Sequence, residues 1–179
     1  MRSILFLPTD KIERLPKAIG SGADKVIFDL EDGLAHDKKD IGRTNFAELA
    51  NSNYNGEPDK FLLRINALDT DEYKEDLKML KSLSSLPYSI AIPKIESADE
   101  CRIFLKDLGK KILILPQIET PKGIATVEQW DCSEIEFSGI GFGSADYCAS
   151  TGGDMGKPSL AYGRGKIINA AALYDTLAL

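Results

Sequence analysis

The sequence predicts an α/β fold, a (β/α)8 barrel of the TIM type that is incomplete at its C-terminus, as a single domain over residues 1–179. Three observations predict it. Short apolar runs alternate with longer amphipathic stretches, the pattern of parallel βαβ units. The runs are apolar throughout, as in strands covered on both faces. Polar residues follow almost every run, and barrels carry their chemistry around the whole ring of strand C-terminal ends. A doubly wound sheet shares the first two features, but no GxGxxG follows the first run.

The elements follow in order. Ile4 to Leu7 is the first strand, and Asp10 to Gly20 is helical because Ile12, Leu15 and Ile19 share a face. Lys25 to Asp29 is the second strand, with a helix over Lys38 to Ala50. Phe61 to Ile65 and Asp71 to Leu83 form the third pair, and Ser89 to Ile92 and Ala98 to Leu108 the fourth. Ile112 to Leu115 is the fifth strand, with a helix near Gly123 to Glu128. Phe137 to Phe142 is the sixth. A Gly-rich loop from Gly152 to Pro158 leads to a helix over Tyr162 to Tyr174, and Leu177 to Leu179 begins a seventh strand. A full barrel has eight strands and roughly 250 residues. The expectation is therefore a truncated chain, or an open side covered by an oligomer.

Composition narrows the function. The formal net charge of −6 argues against nucleic acid, which selects a basic face. Cys101, Cys132 and Cys148 are scattered and odd in number, as in a reduced protein without a disulfide framework or a zinc cluster. The apolar run at Ile4 is too short for a signal peptide, and no stretch approaches the roughly 20 apolar residues of a membrane helix. A cytoplasmic location, with no membrane partner, is expected. His36 is the single histidine, so a Ser-His-Asp hydrolase would rest on it alone.

The strand ends hold the candidate residues. Ile92-Pro-Lys-Ile-Glu-Ser97 is echoed by Leu115-Pro-Gln-Ile-Glu-Thr120, 23 residues on. In each, Pro stops the ladder and Ser or Thr is placed to cap the next helix. Glu119 and Asp146 follow adjacent strands, and Mg2+ is commonly held by one or two carboxylates plus water and substrate oxygens. Gly141 and Gly143 beside them permit close approach of a ligand. The structural alternative is that Glu119 caps a helix and Asp146 begins one. Arg64, at the end of a buried strand, either binds a substrate carboxylate through its planar fork or pairs internally with Asp29, Glu31 or Asp32. Asp29 and Glu31 share a face at strand period two, and the acids Asp29, Glu31 and Asp32 either orient arginines and hold a metal-bound water or are solvated loop acids. Lys94 either forms a Schiff base or pairs with Glu96 or Glu119. Arg2, Lys38, Lys39 and Arg43 form a basic fringe able to meet the phosphates of a coenzyme A or carrier-protein arm.

Taken together, the ordered motifs Arg2-Ser3-Ile4-Leu5-Phe6-Leu7-Pro8, Asp29-Leu30-Glu31-Asp32-Gly33, Arg64-Ile65-Asn66, Pro93-Lys94-Ile95-Glu96, Ile118-Glu119-Thr120-Pro121 and Phe142-Gly143-Ser144-Ala145-Asp146 resemble the citrate lyase β-subunit family, within the HpcH/HpaI aldolase group. Tyr162-Gly163-Arg164 resembles a further segment, in which the family usually has Ala where this chain has Gly163.

The resemblance implies a (β/α)8 barrel and a carbon–carbon lyase that cleaves a 3-hydroxy-3-carboxyacyl thioester. Citryl-CoA or a citryl carrier protein would give oxaloacetate and an acetyl thioester; a malyl-CoA-like substrate is the variant. It implies Mg2+, with Mn2+ as a substitute and no organic cofactor, held by Glu119 and Asp146. Arg64 and Glu119 would border the substrate with Gly143 and Ser144, while Asp29, Glu31, Asp32 and Lys94 stand behind them. Implied partners are the thioester, an oxaloacetate-like keto acid, and further subunits, in a homo-oligomer (trimer or hexamer) or a lyase complex. The family's later strands and C-terminal lid lie outside the matched motifs. Two other functions therefore stay open: a non-catalytic subunit that binds an α-keto acid or thioester, and a Schiff-base aldolase using Lys94.

Overall fold

The computed structural model describes residues 1–156 and 158–179; the loop predicted over 152–158 thus lies partly outside the described residues. The chain divides into two compact units, Met1–Ala91 and Ile92–Leu179. Both are α/β, and all recorded strand pairings are parallel.

The first unit holds β1 (Ile4–Pro8), α1 (Leu15–Ile19), β2 (Lys25–Asp29), α2 (Lys39–Asn51), β3 (Phe61–Arg64), α3 (Asp71–Ser82) and most of β4 (Ser89–Ile92). The strands pair in sequence order, with Phe6 opposite Ile27, Ile27 opposite Leu62 and Leu63 opposite Ile90. Val26, Ile27, Phe28, Leu62, Leu63 and Ile90 are fully buried, as apolar runs in a doubly covered sheet should be. The rings of Phe28, Phe46, Phe61 and Tyr54 pack beneath them at centroid separations of 5.5 to 6.1 Å. β1 departs from the pattern: Leu5 is 37% and Phe6 45% exposed.

The helix expected over Asp10 to Gly20 is broken. Thr9–Arg14 is 3-10 with Lys11 outside helical geometry, and only Leu15–Ile19 is α. Pro16 is the cause, because it has no N–H to donate back to Ile12 and is tolerated only in a first helical turn.

The second unit holds α4 (Ala98–Leu108), β5 (Leu113–Ile118), α5 (Pro121–Thr126), β6 (Gly141–Phe142), α6 (Ser144–Thr151) and α7 (Pro158–Leu173). β5 and β6 pair Gln117 with Gly141 and Ile118 with Phe142. The sixth strand is shorter than expected; Phe137 makes only an isolated bridge to Ile114, and Ser138-Gly139 separates it from the ladder. The expected start of a seventh strand is present as a parallel bridge, Ile140 to Ala178, with the Leu179 N–H donating to the Ile140 carbonyl at 2.9 Å. Both predicted caps form. Ser97 and Glu100 make a capping box on α4, and the Thr120 hydroxyl accepts the Gly123 N–H at 3.0 Å, with Pro121 opening α5. Among the described residues, no helix is long and apolar enough to cross a membrane.

Candidate metal centre and strand-end residues

In the first unit, the register places Asp29 opposite Arg64 at the ends of β2 and β3. The guanidinium grips the carboxylate with two donors, Nε to Oδ1 at 2.8 Å and Nη2 to Oδ2 at 2.5 Å. Its Nη1 lies 2.8 Å from Glu31 Oε2. Asp29 also accepts the backbone N–H groups of Glu31 and Gly33 at 2.9 and 3.0 Å. This is the internal pairing weighed for Arg64 from the sequence, with Asp29 and Glu31 both on the guanidinium. Asp32 is exposed, and a carboxylate oxygen of it lies within 4.8 Å of one of Glu31.

Behind them lies a buried polar chain that the sequence did not disclose. Lys39 Nζ donates to the carbonyls of Leu30 and Glu31 at 2.6 and 2.7 Å and to Asn66 Oδ1 at 2.8 Å. Asn66 donates to Asp76 Oδ2 through its backbone and its side chain, and Arg43 Nε donates to Asp76 Oδ1 at 2.8 Å. Arg43 also reaches Glu72 and Asp40. Burial pushes the Lys39 ammonium down and the Asp76 carboxyl up, the latter despite its hydrogen bonds from Asn66 and Arg43. The expected basic fringe is thus corrected. Lys39 and Arg43 point inward, since a buried cation must be paired, while Lys38 and Arg2 sit at the surface beside Asp37 and Asp24. Residues 27 and 33 positions apart make these contacts, so no local spacing could have shown them.

In the second unit, Ile118 faces α5: a Cβ added to Gly123 would meet Ile118 Cγ2 at 2.9 Å. By strand alternation, Gln117 and Glu119 then project from the opposite face of β5. Glu119 is 3% exposed. It lies directly over Gly143, where an added Cβ would fall 2.2 Å from Glu119 Cγ and 2.5 Å from Oε1. Gly143 therefore admits no side chain while Glu119 holds this position. The Gly143 N–H donates to the Ile118 carbonyl at 3.1 Å, and the chain then turns into α6, whose first turn carries Asp146. Thr120, not Glu119, caps the neighbouring helix, so the capping alternative does not account for Glu119. Asp146 does begin a helix, as its own alternative expected.

Lys94 follows β4 with φ of +57°, a left-handed conformation that lysine adopts at a cost of about 1–2 kcal/mol. Its Nζ is 4.0 Å from Asp146 Oδ2. Glu96 is engaged elsewhere, by Lys122 at 2.8 Å and the Thr120 hydroxyl at 2.7 Å, and these hold its carboxyl below the usual range. Ser144 lines a cavity of ≈ 340 Å3 with Phe142, Arg164, Ile167 and Leu179. Phe142 also explains Gly163: a Cβ there would lie 2.6 Å from the Phe142 ring.

Gln117 is the residue that sequence reasoning passed over. Its Oε1 is buried and has no hydrogen-bond partner among the described residues. The available signal was a lone amide in an apolar strand, two residues before Glu119 and hence on its face. A buried acceptor and two carboxylates rooted at adjacent strand ends offer oxygen donors, the chemistry that a hard divalent cation such as Mg2+ takes.

Parallel α/β units with acidic residues gathered at strand C-terminal ends define a class of α/β proteins whose ligand sites lie at those ends. The family model described as HpcH/HpaI aldolase/citrate lyase matches residues 2–179, and the chain belongs to that family. It is 26% identical to the mitochondrial citramalyl-CoA lyase of Homo sapiens over 198 residues, covering 99% of this chain and 58% of that protein. It is 32% identical to the L-malyl-CoA/beta-methylmalyl-CoA lyase of Rhodobacter capsulatus, covering 84% of this chain and 50% of that one. Among solved structures, it matches the citrate lyase beta subunit of M. tuberculosis complexed with oxaloacetate and magnesium. That match has a TM-score of 0.82 at 27% identity and covers 98% of this chain and 75% of the other. The matches thus span 58% and 50% of the length of these two lyases.

Proposed function

We propose that this chain carries the metal-binding part of a divalent-metal-dependent carbon–carbon lyase, on part of a (β/α)8 barrel, acting on a 3-hydroxy-3-carboxyacyl thioester. Citryl, malyl and citramalyl thioesters all fit that class. The observation that carries the reading is the pairing of Glu119 with a side-chain-free Gly143 at the exits of β5 and β6, with Asp146 one turn further on. Glu119 and Asp146 would hold Mg2+, and Mn2+ would substitute. When bound there, the ion supplies Lewis-acid polarisation of the substrate hydroxyl and its neighbouring carboxylate.

The protein's own groups do the positioning. Arg64 would orient a substrate carboxylate, with Asp29 and Glu31 keeping its guanidinium plane fixed. Cleavage would leave an enolate on the thioester carbon, which requires nearby positive charge or hydrogen-bond donors. A coenzyme A or carrier-protein arm and association with further subunits belong to the same proposal, carried by the relatives' substrates and by the family resemblance.

The test is Glu119→Ala and Asp146→Ala, with Mg2+ affinity measured by calorimetry and cleavage of citryl-, malyl- and citramalyl-CoA followed as keto-acid release. Each variant should weaken Mg2+ binding at least about tenfold and abolish cleavage. Unchanged Mg2+ affinity in both variants would sink the metal assignment. Keto-acid binding without turnover in the native protein would favour the binding-subunit alternative.

A further inference from the structure

Lys94 has a conformation and a neighbour that the proposed lyase chemistry leaves unused. On its C-terminal side, the Ile95 N–H donates to the Gln117 carbonyl at 3.2 Å, and the Ile95 side chain is 1% exposed. The Ile95 carbonyl lies against α5, 2.8 Å from the position of a Cβ on Gly123. On its N-terminal side are the buried Ile92 and the ladder-stopping Pro93. The surroundings therefore over-determine the left-handed backbone at Lys94, and strain held in this way is a mark of functional positions. The result is a lysine aimed at the first turn of α6. Its side chain is 44% exposed and that of Asp146 is 38% exposed. At 4.0 Å the contact is at the outer limit of an ion pair, so the two charges stand close without a short hydrogen bond between them.

Charge accounting gives this arrangement a use. Two carboxylates and one divalent ion sum to zero, so an incoming anion gains nothing from their net charge. Arg64 already faces two acids, Asp29 and Glu31. We propose that Lys94 is a substrate-contacting residue: its ammonium binds the carboxylate of an α-keto or α-hydroxy acid whose other oxygens complete the metal's coordination beside Asp146. No covalent bond to Lys94 forms. The proposal rests on the Glu119–Asp146 metal reading and adds to it the group that captures the anion.

The test uses Lys94→Gln and Lys94→Arg with two titrations, Mg2+ alone and then pyruvate into Mg2+-saturated protein. Removing a cation from beside Asp146 should leave Mg2+ affinity unchanged or raise it several-fold. Pyruvate affinity should fall at least about tenfold in Lys94→Gln, the scale of one charge-assisted hydrogen bond. Lys94→Arg should recover it to within about threefold, because the charge is retained. A purely structural role would move the two titrations together. If native protein binds Mg2+ and Lys94→Gln binds pyruvate within about twofold of native, the Lys94 assignment fails alone. If native protein takes up no Mg2+, the metal reading fails and this one with it. A borohydride-trapped pyruvate adduct on Lys94 would overturn the proposal in favour of the imine.

Discussion

In Met1–Ala91, the buried charges are matched by close partners. Arg64 meets Asp29 and Glu31, and Arg43 meets Asp76, each through contacts of 2.8 Å or less. In Ile92–Leu179, Lys94 and Asp146 beside α6 meet at longer range. Asp146 has Lys94 at 4.0 Å, Gln117 Oε1 is unsatisfied among the described residues, and Glu119 is positioned by the absence of a side chain at Gly143. The contrast is physical. Removing one member of a close, buried ion-pair network exposes the others to an uncompensated low-dielectric environment. A loosely matched group gives up little when a ligand arrives. The first arrangement fixes the geometry of its members, Arg64 included, and the second keeps Asp146 partly exposed to a ligand.

The largest expected effect tests the first half of that contrast. Asp76→Ala leaves Arg43 and Asn66 without their shared acceptor and should lower the unfolding free energy by about 3–5 kcal/mol in urea titrations. Asp146→Ala should stay within about 0.5 kcal/mol of native in the same experiment. Equal losses would erase the distinction between the units.

Gly143→Ala comes next. The new methyl must displace Glu119, which should cost about 1–3 kcal/mol and about 10- to 100-fold in Mg2+ affinity. An alanine variant with native Mg2+ affinity would show that the cradle is incidental.

Arg64→Lys keeps the charge and loses the fork. A stability loss of about 1–2 kcal/mol is expected, since one ammonium cannot reproduce the paired donors to Asp29 together with the contact to Glu31. No loss would mean that charge alone orders the ends of β2 and β3.

The smallest effect concerns Asp24, a matched charge at the surface. The backbone N–H groups of Arg2 and Ser3 lower its pKa from the ordinary 3.8. The folded state therefore favours the ionised form. The contribution is present above that ordinary value and is lost as pH falls through the lowered one. An NMR titration of the Asp24 carboxyl carbon should place its midpoint below 3.8, and Asp24→Asn should remove the associated acid sensitivity. A midpoint at or above that value would show that the hydrogen bonds do not persist in solution.

The strand ends were the most legible part of the molecule, because each joins a local period to a local stop. The Ile-Glu-Ser and Ile-Glu-Thr echo placed two helix caps correctly, while Gly143, expected to admit a ligand, makes room for the Glu119 side chain. The break in the first helix is marked by Pro16, but the apolar spacing of Ile12, Leu15 and Ile19 across it masks the break. What stayed hidden depends on contacts distant in sequence. Whether Lys39 and Arg43 face solvent or the interior is decided by Asn66 and Asp76 on other elements. Asp29, Glu31 and Arg64 were legible as an ion-pair option, and three-dimensional register turned that option into a bidentate contact.

The left-handed backbone at Lys94 sets two forms of selection against each other. Asn tolerates that conformation with less strain, so Lys94→Asn should raise the melting temperature slightly while removing the cation beside Asp146. A library sorted for heat tolerance would drift away from lysine at this position, and one sorted for keto-acid capture would return to it. Position 94 is therefore where an engineered thermostable version of this chain would first be at risk of losing function.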